Sequence, residues 1–278
     1  MAMAKKNILV TGASSGIGRS CALRLSMRGY RVLAGVRDMR ASGELRELVP
    51  GIEPVLLDVT DGGSIRRVVE VVGGEPLAGL INNAGISVIG PVELVPIESW
   101  RRQFEVNVIG LVAVTQAFLP NLRLGTGRIV NIGSIAGRSA LPGTGAYDSS
   151  KFAVEGLTDA LRLEMQRFGI RVSVVEPGAV ATPIWDKAIK ETDALKRAAS
   201  PELRELYGWL ISGIQREVAR AAAKAASADS VAKAVEHAIT SRRPRIRYVT
   251  GADARLWLLL NLLPDAWRDK LILSGMNK

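Results

Sequence analysis

A tyrosine and a lysine, Tyr147 and Lys151, stand four residues apart in a segment with helical hydrophobic spacing. Residues i and i+4 of a helix share one face, so the phenol and the ammonium would point into the same cleft. A phenol titrates near about 10, and a nearby cation favours its ionised form, which suits acid–base chemistry. Ser134 lies thirteen residues upstream. The spacing alone also fits a surface tyrosine beside a solvated lysine, so the surroundings must decide.

A glycine-rich turn follows the first strand-like run, Ile8-Leu9-Val10. Its glycines allow positive φ and a close approach of the backbone to a pyrophosphate, while the helix that follows offers unpaired N–H groups. The spacing GxxxGxG differs from the commoner GxGxxG, and after a first strand it is a fair signal for a dinucleotide. The residues predicted to hold the phosphates are Gly12, Ser14, Ser15, Gly16, Ile17 and Gly18.

The end of the second predicted strand indicates which dinucleotide is bound. NAD-binding proteins place an acidic residue there for the ribose 2′-hydroxyl, but the expected position holds Gly35. Arg37, two residues later, can reach a 2′-phosphate through charge-assisted hydrogen bonds. The sequence therefore favours NADP(H) over NAD(H). A different course of the turn would instead bring Asp38 to the ribose.

Polar residues also end the third and fourth predicted strands. Asp58, followed by Val59, could accept a hydrogen bond from an adenine amino group. The run Asn82-Asn83-Ala84-Gly85 follows the fourth strand, although Asn and Gly are also ordinary turn residues. Asn107 lies inside an apolar helical stretch, where a buried amide must find hydrogen-bond partners.

Apolar runs that alternate with helical segments must position these residues, and this alternation is typical of βαβ units. Strands are predicted at residues 7–11, 31–36, 53–58, 79–82, 127–132, 171–176 and 246–250. Helices are predicted at about 97–119 and 146–168, and on the face formed by Ile65, Val68, Val69 and Val72. A reversal after the third strand gives an α/β, Rossmann-type, doubly wound sheet of seven parallel strands, with helices on both faces. We expect residues 1–278 to form a single domain.

Two segments lie outside this pattern: an insertion that bears on substrate binding, and a C-terminal tail that bears on contacts with other surfaces. Residues 182–226 are predicted to be a substrate-covering insertion, without a clear strand as far as residue 200 and helical from residue 201. Its apolar stripe indicates either a lipophilic wall or ordinary core packing, and it consists of Leu203, Leu206, Tyr207, Trp209, Leu210 and Ile214. The tail, residues 253–278, contains an apolar run at 256–263 that is too short to span a bilayer, which needs about 20 residues.

Packing over the substrate mouth or at a dimer contact is the preferred interpretation of the tail. A cluster of arginines precedes it, and we expect a solvated edge strand there. Contact with an anionic membrane surface is the alternative for both features. The arginines are Arg242, Arg243, Arg245 and Arg247.

Composition excludes several other functions. The 278 residues carry a formal charge of +10, but the basic residues are scattered rather than interleaved with aromatic ones, so a nucleic-acid partner is not expected. One cysteine, Cys21, and one histidine, His237, allow neither an internal disulfide nor a soft metal site, and both are predicted to be structural. The start of the sequence leaves no room for a signal peptide, so a reducing, cytoplasmic location is expected.

Together these motifs resemble the classical short-chain dehydrogenase/reductase family. The resemblance rests on TGxxxGxG at 11–18, Asp58, NNAG at 82–85, Asn107, Ser134, the Tyr147–Lys151 pair and Pro177-Gly178. It implies that a hydride passes between nicotinamide C4 and a substrate carbon that bears oxygen. Tyr147 would exchange the proton of that oxygen and Ser134 would hydrogen-bond it. Lys151 would hold the nicotinamide ribose and lower the tyrosine pKa, and Asn107 would seat a water. The cofactor-binding residues would also include Asn83, Ala84, Gly85, Gly178, Val180 and Thr182.

The runs at 79–86, 90–93, 115–120, 175–178 and 247–254 are similar to the branch of hydroxysteroid and retinol dehydrogenases. That similarity implies an NADP(H)-dependent oxidoreductase for a secondary alcohol or a ketone or aldehyde on a lipophilic, steroid- or retinoid-like substrate. A homodimer or homotetramer is expected. The alternatives are a reductase of small carbonyl compounds or carrier-bound 3-oxoacyl chains, and a non-catalytic NADP-sensing protein. Asp148 departs from the branch, which usually has a small or neutral residue there, and it leaves the local pKa balance open.

Overall fold

One parallel sheet organises the chain. The computed structural model describes residues 6–38, 40 and 51–276. The strands are β1 (Asn7–Val10), β2 (Arg31–Val36), β3 (Ile52–Leu56), β4 (Leu77–Asn82), β5 (Arg128–Ile132), β6 (Arg171–Pro177) and β7 (Arg247–Thr250). They pair in the order β3-β2-β1-β4-β5-β6-β7, and each neighbouring pair is parallel. The predicted seven-stranded, doubly wound sheet is therefore confirmed, with strand ends displaced by one or two residues.

Helices cover both faces of the sheet. They are α1 (Gly16–Met27), α2 (Gly62–Val72), α3 (Ile97–Phe104), α4 (Gly110–Gly125), α5 (Gly145–Met165), α6 (Ile184–Ala198), α7 (Pro201–Ala223), α8 (Ala228–Thr240), α9 (Ala252–Leu260) and α10 (Asp265–Met276). On one face, α1 and α8 pack Leu25 and Val235 onto the sheet. On the other face, α2 and α4 bury Val68 and Phe118. Burial of a side chain such as Phe118 contributes about 1.5–3 kcal/mol.

The predicted structural residues lie in or near this core. Cys21 is fully buried in the cluster beneath α1, where burial raises the pKa of its thiol to about 12. His237 Nδ1 lies 2.8 Å from the Tyr248 hydroxyl, which links α8 to β7. Residues 1–5 and the last two residues of the tail lie outside the described residues.

The predicted helix at 97–119 contains a break that its sequence does not announce. A π-helical turn, Glu105–Ile109, separates α3 from α4. The predicted helix at 146–168 corresponds to α5, which is followed by the 3₁₀ turn Gln166–Phe168. The stretch Ile97–Gly125 is long and apolar enough to cross a membrane. Its fully buried side chains Val114, Phe118 and Leu122 pack on the sheet, so its hydropathy is that of a core helix.

The insertion is more helical than predicted, because α6 occupies most of the part without a clear pattern. Its ends are joined by hydrogen bonds from Ala181 N to Ala226 O at 3.0 Å and from Ala226 N to Ala179 O at 2.9 Å. Within it, Leu210 and Ile214 of α7 pack with Ile89 and Met276 in a small separate core. The insertion is therefore a helical excursion that begins and ends beside the carboxyl end of β6.

Candidate active site

The site lies where the sheet changes direction. β1 pairs with β2 on one side and with β4 on the other, so crossovers leave in opposite directions and a crevice opens at the carboxyl ends of these strands. A cavity of about 590 Å³ occupies this crevice and reaches from the glycine-rich turn to Tyr147 and Trp185.

The glycine-rich turn is tied directly to the loop after β4. Thr11 Oγ1 accepts hydrogen bonds from Asn83 N and Ala84 N, each at 2.9 Å. Asn83 Nδ2 donates to Thr11 O and Gly12 O at 2.9 and 3.0 Å. A Cβ on Gly18 would overlap Gly12 O and Asn83 Nδ2, so only glycine allows this close packing. The two loops therefore form one polar wall of the cavity.

Ser134, Tyr147 and Lys151 meet although they come from two separate segments. Ser134 caps the 3₁₀ turn Ile135–Gly137 after β5, and its Oγ accepts from Ala136 N at 3.1 Å. Tyr147 and Lys151 lie in the first two turns of α5, and a side-chain hydrogen bond joins Tyr147 to Ser134. Lys151 Nζ lies 5.8 Å from the centroid of the Tyr147 ring and donates to Ile132 O at 2.8 Å.

Burial sets the pKa values in this group. It raises the pKa of Tyr147 to about 12, against the opposing hydrogen bond from Ser134, and the Asp148 carboxylate adds to the rise. Burial also lowers the pKa of Lys151 to about 8, which the negative charge of Glu155 opposes. The predicted lowering of the tyrosine pKa by Lys151 is not found, because lost hydration outweighs an ammonium that is directed at Ile132 O. At neutral pH the phenol keeps its proton.

Asn107 supports the site from behind the cavity wall. Its Oδ1 accepts from Ile86 N at 2.9 Å, and its Nδ2 donates to Ile86 O and to Ser150 Oγ, each at 3.1 Å. These bonds satisfy the buried amide in the π-helical turn and fix the backbone just after Gly85. Asn107 does not line the cavity, and the water that the resemblance predicts beside it stays a prediction.

Asp148, the unusual residue beside Tyr147, is buried and holds the loop before α5. Its Oδ2 accepts from Thr144 Oγ1 at 2.6 Å and from Leu141 N at 2.9 Å. Burial raises the pKa of this carboxyl to about 7, and the two hydrogen bonds oppose the rise. Asp148 therefore has hydrogen-bond partners of its own in the loop before α5, and its charge also raises the pKa of Tyr147.

The end of β2 presents a cation to the cavity. Arg37 is exposed and lines it. Asp38 instead accepts from Arg40 N and Arg40 Nε, at 2.9 and 3.2 Å. A Cβ on Gly35 would lie 2.9 Å from Leu57 Cδ2 and 3.1 Å from Val10 O, so any side chain at this position would require Leu57 to shift.

Most of the predicted cofactor-binding residues line the cavity, namely Gly12, Ser14, Ser15, Gly16, Ile17, Arg37, Asp58, Val59, Asn83, Ala84, Gly85, Tyr147, Lys151, Pro177, Gly178, Val180 and Thr182. Gly18 does not, because it lies beneath Gly12. Ser134 lines it as well. The residues fit a nicotinamide dinucleotide: a glycine-rich turn and a cation lie at one end, and a protonated phenol and an ammonium lie at the other.

Some residues that line the cavity were not predicted from the sequence, and one predicted candidate for its wall lies elsewhere. Thr60, Ile132, Gly133 and Trp185 also line the cavity, and the first three adjoin or lie close to residues that were predicted. The insertion contributes residues 182–185, with Trp185 Nε1 donating to Val180 O at 2.9 Å. The apolar stripe on α7, for which a lipophilic wall and ordinary core packing were both open, does not line the cavity. Leu210 and Ile214 are core residues there, while Leu206 and Trp209 are exposed.

Comparison with known proteins agrees with this geometry. A family described as short chain dehydrogenase matches residues 6–193. Retinol dehydrogenase 16 of Mus musculus is 39% identical over 280 residues, which is 96% of this chain and 87% of that protein. The 17-beta-hydroxysteroid dehydrogenase type 6 of Bos taurus is 37% identical over 284 residues, 98% of this chain and 89% of that protein.

Solved structures give the same result. A short-chain dehydrogenase from Streptomyces avermitilis superposes with a TM-score of 0.80 at 30% identity, covering 98% of this chain and 96% of that chain. One from Burkholderia cenocepacia in complex with NADP has a TM-score of 0.73 at 26% identity, with 96% of each chain covered. One from Burkholderia phymatum in complex with NAD has a TM-score of 0.77 at 27% identity, with 92% of each covered.

The sheet order, the cavity at the switch point, the family match and the relatives all agree. The chain therefore belongs to the short-chain dehydrogenase family, and it is an oxidoreductase that acts on CH–OH groups with a nicotinamide cofactor.

Proposed function

We propose that the chain is an NADP(H)-dependent oxidoreductase that acts on a lipophilic substrate, interconverting a secondary alcohol and its ketone or a primary alcohol and its aldehyde. The observation that carries this proposal is a half-buried, protonated phenol, Tyr147, which is hydrogen-bonded to Ser134 and lies one helical turn from Lys151. The same cavity contains the glycine-rich turn, so a proton donor and a dinucleotide site share one space.

Several groups would hold the cofactor. The turn at residues 12–18 and the amino end of α1 suit the pyrophosphate, Arg37 suits a 2′-phosphate, and Asp58 suits the adenine amino group. Lys151 suits the nicotinamide ribose, beside the loops at 83–85 and 177–182. When bound, the cofactor donates or accepts the hydride.

The protein groups handle the proton of the substrate oxygen. Because the pKa of Tyr147 is raised to about 12, its hydroxyl is protonated at neutral pH and can donate to the oxygen of a substrate carbonyl group during reduction. Ser134 hydrogen-bonds the same substrate oxygen and orients it. Lys151, with a pKa of about 8, is mostly charged at neutral pH and stabilises negative charge on the phenol oxygen after proton transfer.

Preference for NADP(H) follows from the end of β2. Arg37 offers a cation to the cavity, whereas the only nearby carboxylate described on that turn, Asp38, is bonded to Arg40. Gly35 provides no carboxylate where an NAD-binding protein has its acidic residue, and a side chain there would crowd Leu57. These three features favour a 2′-phosphate over a 2′-hydroxyl.

A steroid- or retinoid-like substrate is supported by the relatives and by the cavity. The two mammalian relatives are named for a hydroxysteroid and for retinol. The cavity that contains Tyr147 is also lined by apolar side chains, including Ile86, Ile184 and Trp185. Apolar contacts of this kind retain a hydrocarbon skeleton while a few polar groups orient its oxygen.

A substrate panel tests this proposal. Cofactor oxidation would be followed with ketosteroids, retinal, small ketones and a 3-oxoacyl thioester, with NADPH and NADH in parallel. We expect kcat/KM with NADPH to be at least about tenfold higher for a steroid or retinoid than for small ketones, because more apolar surface is buried. Preference for small ketones or for the thioester would replace the proposed substrate class.

The C-terminal helices supply a contact surface for a membrane in this proposal. Leu256, Leu259 and Leu262 are exposed on and just after α9, and Trp267 and Leu271 are exposed on α10. Lys270 lies in the same shallow groove as Trp267 and Leu271. An apolar face with a cationic neighbour suits the interface of an anionic bilayer. Arg247 does not contribute, because it donates to Asp159 Oδ2 at 2.6 Å and Glu155 Oε2 at 3.2 Å.

Self-association as a homodimer or homotetramer is also part of this proposal. Leu124 of α4 and Phe152 and Leu163 of α5 are exposed apolar side chains on neighbouring elements. A second copy would remove them from water. Light scattering of the purified protein would give the mass, and a monomer at micromolar concentration would contradict the association. A cytoplasmic location remains a prediction.

A further inference from the structure

Helix α9 lies between two loops that flank the catalytic groups. Its first turn contains Asp253, and the residue after its last turn is Asn261. A helix of nine residues is about 13 Å long, which is enough to connect separate parts of one site. Both polar residues bond to backbone groups of other segments, and those segments are the ones that border the cavity.

At the first end, Asp253 holds the loop after β6. Asp253 Oδ2 accepts from Ala179 N at 2.6 Å, next to the bond from Gly178 N to Thr250 O at 2.9 Å. A Cβ on Gly178 or on Gly251 would overlap the Asp253 carboxylate, so both glycines make room for it. Gly178 and Val180, on either side of Ala179, line the cavity.

At the other end, Asn261 holds the segment that follows Ser134. Its Nδ2 donates to Arg138 O at 2.8 Å, and its Oδ1 accepts from Ser139 Oγ at 2.5 Å. Arg138 and Ser139 follow directly on the 3₁₀ turn that Ser134 caps. That turn also packs on α5, because a Cβ on Gly137 would lie 2.7 Å from Lys151 O.

We infer that α9 is a strut that fixes the cofactor loop at 177–180 relative to the Ser134 turn, with Asp253 and Asn261 as positioning residues. This inference rests on the proposed roles of Ser134 and of the cofactor loop. The two ends affect different steps. Loss of the Asp253 contact loosens the backbone that borders the cofactor, whereas loss of the Asn261 contact displaces the serine that orients the substrate oxygen.

Two single variants with opposite kinetic effects test the strut. Asp253→Ala should raise the Kd for NADPH, measured by fluorescence titration, about three- to tenfold and leave kcat at saturating cofactor nearly unchanged, since one exposed hydrogen bond is lost. Asn261→Ala should lower kcat about three- to tenfold and leave the Kd for NADPH nearly unchanged. Asp253→Asn, which keeps an acceptor oxygen for Ala179 N, should restore most of the affinity.

Matched controls separate positioning from general stability. Asp265→Ala makes the same change in the first turn of α10, where the carboxylate bonds only to Arg268 among the described residues. Asn121→Ala removes an amide that donates to Gly73 O and Glu75 O, away from the site. Both controls should keep the Kd and kcat of the unaltered protein.

The inference would be overturned if each test variant changed Kd and kcat by the same factor. It would also be overturned if neither value changed and only the melting temperature fell. Ser139→Ala removes one of the two Asn261 hydrogen bonds from the other side, and it should lower kcat in the same direction by a smaller factor if Asn261→Ala does not fold. The effect of Asp253→Ala is measured by NADPH binding alone, so its outcome is independent of whether the proposed turnover is found.

Discussion

At the scale of single residues, motif spacing predicted which side chains meet but not their ionisation. The Tyr147–Lys151 spacing placed both groups in the first turns of α5, as the structure has them. The direction of the tyrosine pKa was wrong, because burial in the folded chain depends on packing from segments far away in the sequence. The same reasoning explains Asp148, whose partners Thr144 and Leu141 belong to a loop without a sequence pattern.

Arg37 tests the cofactor preference. Arg37→Asp should lower kcat/KM with NADPH by at least about tenfold and leave kcat/KM with NADH equal or higher, because a 2′-phosphate loses a charge-assisted hydrogen bond and gains a repulsive charge. The comparison is made from initial rates with both cofactors. Arg220→Asp, which changes an exposed arginine paired with Glu217 on α7, should leave the ratio unaltered. An unchanged ratio for Arg37→Asp would remove the NADP assignment.

Lys151 predicts a pH limit for carbonyl reduction. Its pKa is about 8 and that of Tyr147 about 12, so the lysine loses its charge first as pH rises, while the phenol still holds its proton. We expect kcat for reduction to be constant below this pKa and to decrease above about pH 8, since stabilisation of the phenolate is lost. A pH–rate profile at saturating substrate measures it. A rate that stays constant to pH 10 would contradict the role of Lys151.

At the scale of elements, the βαβ alternation predicted all seven strands, because each buried strand is a short apolar run whose pattern is local. Two features were not predictable. The π-helical turn at Glu105–Ile109 depends on bonds between Asn107 and Ile86, which are distant in sequence. The apolar stripe on α7 has the same sequence pattern whether it faces the cavity or the core. Only the fold shows that Leu210 and Ile214 contact Ile89 rather than the cavity.

The first turn of α5 carries a buried acid whose effect on stability has a definite sign. The folded chain holds the Asp148 proton up to about pH 7, whereas the unfolded chain releases it near its ordinary pKa of 3.8. The folded state therefore binds more protons between these values, and its free energy of unfolding falls as pH rises through this range. Asp148→Asn keeps an acceptor for Leu141 N and carries no charge.

We expect Asp148→Asn to gain stability relative to the unaltered protein at pH 8 and to lose that advantage at pH 5. Urea unfolding at both pH values measures the difference in free energy of unfolding. Asp265→Asn, at an exposed carboxylate, should show no comparable pH dependence. The same difference at pH 5 and pH 8 would show that Asp148 is not a buried titrating group.

At the scale of the whole molecule, the C-terminal helices have two distinct faces. Asp253 and Asn261 bond to the site loops, while Leu256, Leu259 and Leu262 are exposed. Deleting the tail would also remove Asn261 and Met276, which pack against the site loop and the core beneath α7. Surface substitutions are therefore the sharper test of membrane contact.

Leu259→Glu combined with Leu262→Glu should reduce co-sedimentation with anionic liposomes at least about tenfold, because two apolar side chains no longer enter the interface and two negative charges are repelled. Val71→Glu combined with Leu206→Glu also places two negative charges at exposed apolar positions, on other faces, and should co-sediment like the unaltered protein. If both double variants bind liposomes as well as the unaltered protein does, or if the unaltered protein does not bind, this surface is excluded as the membrane contact.

The central claim, that Tyr147 supplies the proton, is tested most directly by Tyr147→Phe. This change removes one hydroxyl and keeps the ring that packs beside Lys151. We predict that kcat for NADPH-dependent reduction of the best substrate decreases about a hundred- to ten-thousandfold, while NADPH still binds with an unaltered Kd. Tyr30→Phe, which removes a hydroxyl beside the core under α1, should leave both values unchanged. A kcat for Tyr147→Phe close to that of the unaltered protein would contradict the account.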